Sequence, residues 1–260
     1  MPKPQQLSHE TNSANENPFS LLSSSSSLSI ALSETRVGTL AEAFRGCLVT
    51  KTTPKHEYNK NSRTDGDHND DDHQNYEYDI DLNQLLEACR RFKENMHAVG
   101  QHGNARDLWN NLIKVEQSLR QAPSEIRTVR ALLKYEKEEL GVRSGDDGPL
   151  KNPSAAMGLL WMRRAVAFQL EFNQFLIDQP QVPTVDAALQ AYSQQLEPFH
   201  SWTLQQIFKL AFRTMTPDRS KSLAELWGKS ADKLDETEDA IVIHQLKILA
   251  DIWRPVSLLF

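Results

Sequence analysis

A chain of 260 residues, 39% hydrophobic and 25% charged, is long enough for one sizeable core but too polar to pack along its whole length. Its 29 Lys and Arg against 35 Asp and Glu give a net charge of -6, which leaves no electrostatic footprint for nucleic acid. Cys47 and Cys89 have neither CxxC nor paired-ligand spacing, excluding a disulfide framework and a Cys-based zinc site. With no apolar run of about 18 residues and no apolar signal core before Glu34, the chain is expected to be soluble and cytoplasmic.

Residues 1–78 hold the unpacked part. The run Ser23 to Ser27, the Asn-rich Asn12 to Asn17 and the nearly apolar-free stretch Asn59 to Asp72 cannot bury enough surface to offset chain entropy, so this segment is expected to be mostly a disordered extension. One island inside it, residues 33–49, carries Val37, Leu40, Ala41, Phe44 and Leu48 at helical spacing behind Ser33, and predicts a short helix docked on the domain. The domain itself is expected to span residues 79–260 and to stand without the extension.

From Asp79 onward the periodicity is helical and no alternating strand is credible. Eight helices are predicted, over residues 80–98, 104–120, 124–140, 154–178, 184–196, 198–214, 219–233 and 237–254. Their punctuation is chemical: Gly100 and Gly103, Pro123-Ser124, Gly141, Pro180 and Pro183, Pro198, and Pro217-Asp218. The fold class is therefore all-α, and without a period of 20 to 50 residues it is not a repeat solenoid.

Catalytic signatures are missing. Gly228-Lys229-Ser230 resembles the end of a phosphate loop, but Leu223 stands where its first glycine belongs and no strand precedes it. HExxH, GxSxG and GxGxxG do not occur. The stretch His68 to His73, with Asp70, Asp71 and Asp72 inside it, reads as a solvated acidic run rather than a metal site. No enzyme, no metal and no cofactor are expected.

Three of the helices share one plan, a polar head and an apolar tail. Asp107, Asn111 and Lys114 stand at i, i+4 and i+7 on one face of the second helix, away from its core stripe at Leu108, Leu112, Val115 and Leu119. Trp161 heads a stripe of Ala165, Phe168, Phe172 and Phe175 on the fourth, and His200 one of Leu204, Phe208 and Phe212 on the sixth. Taken singly, each stripe reads as ordinary core or solvated face. Converging, they would make an apolar cavity with a carboxylate, an amide, an ammonium, an indole and an imidazole at its mouth, which suits a polyhydroxylated head with acyl chains behind it. Trp202, about 200° around the helix from His200, would then face outward toward a bilayer interface.

At these residues the sequence resembles the glycolipid transfer protein family. The resemblance rests on Asp107-Leu-Trp-Asn-Asn111-Leu-Ile-Lys114, on Leu160-Trp161-Met162-Arg163-Arg164 and on Phe199-His200-Ser201-Trp202 followed by Ile207-Phe208. It covers residues 79–260. It implies a two-layer helical sandwich of about eight helices that carries one sphingolipid between membranes without energy input, as a monomer that meets the membrane surface transiently. Carried over by position, Asp107, Asn111 and Lys114 bind the sugar, Trp161 stacks under it, and Asp107 with His200 clamps the ceramide amide. Met157, Phe168, Phe172, Leu196 and Phe208 line the chain tunnel, and Trp202 touches the bilayer. Relatives that carry ceramide-1-phosphate have basic residues where this sequence has Asn111 and Trp161, so the chain sides with the glycosphingolipid binders. Sugar-binding members place a tyrosine near the C-terminus, whereas the last tyrosine here is Tyr192. The alternatives are a carrier of ceramide-1-phosphate or another phosphosphingolipid, and a lipid-sensing interaction module.

Overall fold

The computed structural model describes residues 35–51, 77–143, 148–229 and 233–259. The disorder expected for the rest of residues 1–78, and the acidic His68 to His73 run, lie outside the described residues.

The island before the domain is a helix, and it is core. Thr35, not Ser33, caps α1 (Arg36–Arg45), its Oγ1 accepting from the Gly38 N–H at 3.0 Å. Val37, Leu40, Ala41 and Phe44 are all buried, and Phe44 meets Phe92 and Trp253 edge-on, with ring centroids 6.5 and 5.4 Å away. The core of the domain expected from residue 79 thus extends to Val37, Leu40, Ala41, Phe44 and Cys47: four apolar side chains at i, i+3, i+4 and i+7 are a stripe that must be covered. Nor does the helix run to Val49. It stops at Arg45, and β1 (Leu48–Lys51) pairs antiparallel with β2 (Glu77–Ile80), Leu48 opposite Ile80 and Lys51 opposite Glu77. This two-stranded ribbon was not expected, because four residues are too few for alternation to register.

The remaining described elements are helices. Asp81 caps α2 (Leu82–Ala98) by accepting from the Gln84 N–H, and a turn through Gly100, at φ 78, leads into α3 (His102–Gln121). The helix expected from Ser124 begins later, as α4 (Val129–Tyr135). Ser124 donates to the Glu125 side chain instead, and Thr128 is the cap, accepting from the Ala131 N–H. A π-helical turn at Glu136–Leu140 ends it and places the buried Glu136 carboxylate over the start of α5 (Ala155–Asp178). That carboxylate accepts from the Ala155 and Ala156 N–H groups at 2.6 and 2.9 Å and from Ser118 Oγ at 2.7 Å. Anion and helix dipole complement one another there, which ties α3 and α5 together at their ends.

Then follow α6 (Thr184–Gln195), a 3-10 turn (Glu197–Phe199), α7 (Trp202–Met215), α8 (Arg219–Trp227) and α9 (Glu236–Leu259). α8 ends before the expected residue 233 because Gly228 takes the left-handed conformation at φ 103, and the N–H groups of Gly228 and Lys229 both turn back to the Ala224 carbonyl. α5 packs against α3, α6 and α9, and α9 against α1. The fold is the all-α helical sandwich expected, with nine α-helices among the described residues. α7 has no buried residue and is held chiefly by α6. Its apolar side is therefore free to line a cavity.

Candidate functional site

Two helices come unusually close where the polar head forms. A Cβ on Gly158 would lie 2.6 Å from the Asn111 carbonyl oxygen and 2.9 Å from Val115 Cγ2, so only glycine lets α5 touch the backbone of α3. One turn further along α5 stands Trp161, which lines the same cavity as the Asp107–Lys114 face. That face is already wired. Asn111 Nδ2 donates to the Asp107 carbonyl at 3.0 Å and to Asp107 Oδ2 at 3.3 Å, while Lys114 Nζ donates to Asn111 Oδ1 at 3.1 Å. Asn111 is 3% exposed, so the amide is a buried relay between carboxylate and ammonium.

His200 arrives from outside any helix. It was expected in the first turn of the sixth helix, but the 3-10 turn at Glu197–Phe199 closes first and His200 is extended, at φ -99 and ψ 142, before α7 begins. The helical-wheel argument relating it to Trp202 therefore does not apply. Its ring lies nearly parallel to Trp161, centroids 5.6 Å apart and planes 20° apart, and rests 4.9 Å from Phe208. Tyr192 Oη is 3.0 Å from His200 Nδ1.

Asp107, Asn111, Lys114, Trp161 and His200 all line one cavity of about 910 Å³. Phe168, Phe172 and Phe208 line it too, with Leu204, Ala211 and Phe212, so an apolar chamber does continue behind the polar head. Two of the expected tunnel residues are not among its lining. Met157 sits half-buried in the first turn of α5, before Gly158, and Leu196 packs behind the wall on Phe168, Ala191 and Tyr192. Conversely, the turn from Ala98 to Asn104 and residues Lys221, Ser222, Glu225 and Leu226 of α8 line the cavity without having been singled out. The paired Gly100 and Gly103 were the one signal for the turn; α8 offered none.

Electrostatics at the mouth are set by partial burial. Desolvation pushes the Asp107 carboxyl above its ordinary range, only partly opposed by Lys114 and His200. Desolvation likewise holds the His200 imidazole below its ordinary value, against Asp107 and with the help of Arg164, which keeps the ring neutral at pH 7. The Arg164 guanidinium stands 4.7 Å from the Trp161 centroid and 3.4 Å from that of Phe199. Among the described residues no cluster of three or more metal-ligating side chains occurs, and no helix is long and apolar enough to cross a membrane. At one end of the chamber stand an acceptor, an amide, a donor cation and an aromatic face; behind them Phe168, Phe172, Leu204, Phe208 and Phe212 give an apolar wall, while Gln101, His102, Lys221 and Glu225 add polar lining elsewhere. Polar groups at one end and an aromatic, apolar wall behind them are the chemistry that would orient an amphiphile.

A family model for glycolipid transfer protein matches residues 80–228. The glycolipid transfer protein of Danio rerio is 27% identical over 167 residues, 56% of this chain and 76% of that protein. Among solved structures, human ceramide-1-phosphate transfer protein in complex with 12:0 ceramide-1-phosphate aligns with a TM-score of 0.62 at 15% identity, covering 85% of this chain and 93% of that one. A fungal glycolipid transfer protein aligns with a TM-score of 0.55 at 20% identity, covering 70% and 83%. At such identities the structures speak to the fold alone.

Proposed function

We propose that this chain, which belongs to the glycolipid transfer protein family, carries a glycosphingolipid, its sugar at the Asp107–Asn111–Lys114 face and its chains in the chamber behind. The family is one of lipid transfer proteins and not of enzymes. The observation that carries the sugar assignment is the composition of the head: the Asp107 charge offsets Lys114, and the two positions beside them, Asn111 and Trp161, are neutral. A sugar offers hydroxyls to such a carboxylate–amide–ammonium row and a C–H face to an indole. A phosphate monoester would meet there one ammonium and one repelling carboxylate.

Energetics favour carriage without fuel. About thirty buried CH2 groups are worth roughly 24 kcal/mol against water, at about 0.8 kcal/mol each, but a bilayer offers nearly the same. Exchange is close to neutral, and head-group hydrogen bonds of about 1 kcal/mol each decide which lipid rides.

The test is transfer between phosphatidylcholine vesicles of galactosylceramide against ceramide-1-phosphate with matched chains. Galactosylceramide is expected to move at least about tenfold faster, the equivalent of one or two charge-assisted hydrogen bonds. Ceramide-1-phosphate carried equally fast would overturn the sugar assignment. That second reading has one observation in its favour, Arg164 over Trp161 without a carboxylate partner among the described residues.

Membrane contact falls to Trp202, which is 73% exposed at the first position of α7. An indole that open to water is suited to the bilayer interface. Trp202→Ala is expected to slow transfer several-fold and weaken partition onto neutral vesicles, even at high salt because the contact is apolar. The melting temperature should hardly move, since no packing is lost. A drop of several degrees would count against a docking role.

A further inference from the structure

The imidazole at the mouth is gripped from three sides, and one grip chooses its proton. Trp161 covers a face of the His200 ring, Phe208 abuts it, and the Tyr192 hydroxyl lies 3.0 Å from Nδ1. The backbone is pinned as well: Gln205 Nε2 donates to the His200 carbonyl at 3.0 Å, and the His200 N–H donates to the Glu197 carbonyl at 3.1 Å. Among the described residues Nε2 has no partner, and His200 lines the cavity.

Tyr192 is itself an unusual donor. It is completely buried, sandwiched between the chain chamber and the head: its ring stacks on Phe208 at 5.4 Å with planes 11° apart, and meets Phe212 at 5.5 Å. Among the described residues its hydroxyl has one hydrogen-bond partner, the imidazole. Burial, with Glu197 nearby, pushes the phenol up to about 12, so it keeps its proton throughout the neutral range. A buried hydroxyl proton must find an acceptor, and the acceptor available is Nδ1. A neutral imidazole that accepts at Nδ1 must carry its own proton on Nε2.

We propose that Tyr192 is the positioning residue of the lipid site: by donating to Nδ1 it fixes His200 as the Nε2–H tautomer and aims that N–H at the cavity, ready for a carbonyl acceptor on the bound lipid. The proposal rests on the lipid-binding reading for its functional consequence but not for the tautomer, which is a property of the lipid-free protein. The tyrosine does not touch the lipid head. It removes the choice between two tautomers and two ring orientations before the lipid arrives, so that the hydrogen bond forms without reordering.

The experiment uses the full chain labelled with 15N at histidine. Long-range 1H–15N correlation spectra of the lipid-free protein at pH 7.5 are expected to show His200 with protonated Nε2 and unprotonated Nδ1. Tyr192→Phe keeps the ring and its stacking, so the melting temperature should stay within a few degrees. In that variant the His200 signals are expected to move toward a mixture of tautomers, with galactosylceramide transfer lowered about three- to tenfold, the size of one hydrogen bond. A wild-type His200 protonated at Nδ1 overturns the proposal by itself, even if the variant fails to fold. So does a folded Tyr192→Phe protein with unchanged His200 signals and transfer. Wild-type protein that shows the expected tautomer but moves no sphingolipid sinks the lipid reading and leaves the hydrogen-bond assignment standing.

Discussion

Removing residues 1–76, and with them α1 and β1, is expected to abolish the cooperative thermal transition seen by far-ultraviolet circular dichroism. Val37, Leu40 and Phe44 are at most 5% exposed; burying side chains of this kind is worth about 1.5–3 kcal/mol each, and their sum rivals the roughly 5–15 kcal/mol by which a domain is stable at all. Their loss also opens Phe92 and Trp253, whose rings stand 5.1 Å apart under Phe44, and it deprives Gln245 on α9 of its buried hydrogen bond from Thr35. The point variant Phe44→Ala isolates the packing from the deletion. It should cost about 3–5 kcal/mol, enough to lower the melting temperature by several degrees or more. A shortened chain that still melts cooperatively would mean that α1 only rests on the domain, and that residues 77–260 hold a core of their own.

What could be read from the sequence, and what could not, divides along the range of the interaction. Asp107, Asn111 and Lys114 share a face because helical periodicity puts them there, and Phe168, Phe172 and Phe208 line the chamber because they continue helical stripes that begin at Trp161 and Leu204. The closing of those stripes on one another was legible only as a condition. It depends on Gly158, whose missing Cβ is meaningful solely because the Asn111 carbonyl stands opposite. The apolar spacing of residues 33–49 gives a helix but not its place in the core, since polar neighbours on both sides dominate the local composition and nothing in those residues names Phe92 or Trp253 as the cover. His200 was placed in a helix because Pro198 reads equally well as a first-turn proline of α-helix and as the opening of a 3-10 turn. The Tyr192 hydroxyl was invisible for a similar reason: eight residues separate it from His200 across a turn whose geometry no pattern of apolar spacing specifies. Met157 and Leu196 came from family position alone, and neither lines the cavity.

Asp107→Val is expected to separate function from stability more sharply than any other single change. The carboxylate is the acceptor at the head of the site, and without it donors on the lipid head and amide stay unpaired in a half-dry mouth, at about 1–3 kcal/mol. Transfer of every sphingolipid carried by the wild type should therefore fall about five- to 150-fold. Folding should not suffer. Burial raises the Asp107 pKa, which means that the folded protein holds this proton more tightly than the unfolded chain does. The ionised carboxylate therefore works against folding above its folded-state pKa, and that penalty fades as the pH falls through it. A neutral valine removes the penalty at every pH. Asn111 keeps its bond to the residue-107 carbonyl, and Lys114 keeps its bond to Asn111, so the melting temperature at pH 7 should be unchanged or higher. The same shift predicts the pH profile of the wild type, in which transfer declines on acidification at a pH above the usual carboxylate range, while the loss of the Asp107 charge does nothing to unfold the domain. If Asp107→Val instead melts several degrees lower and still transfers at the wild-type rate, the residue is a brace for α3 and the head of the lipid must be read by other groups.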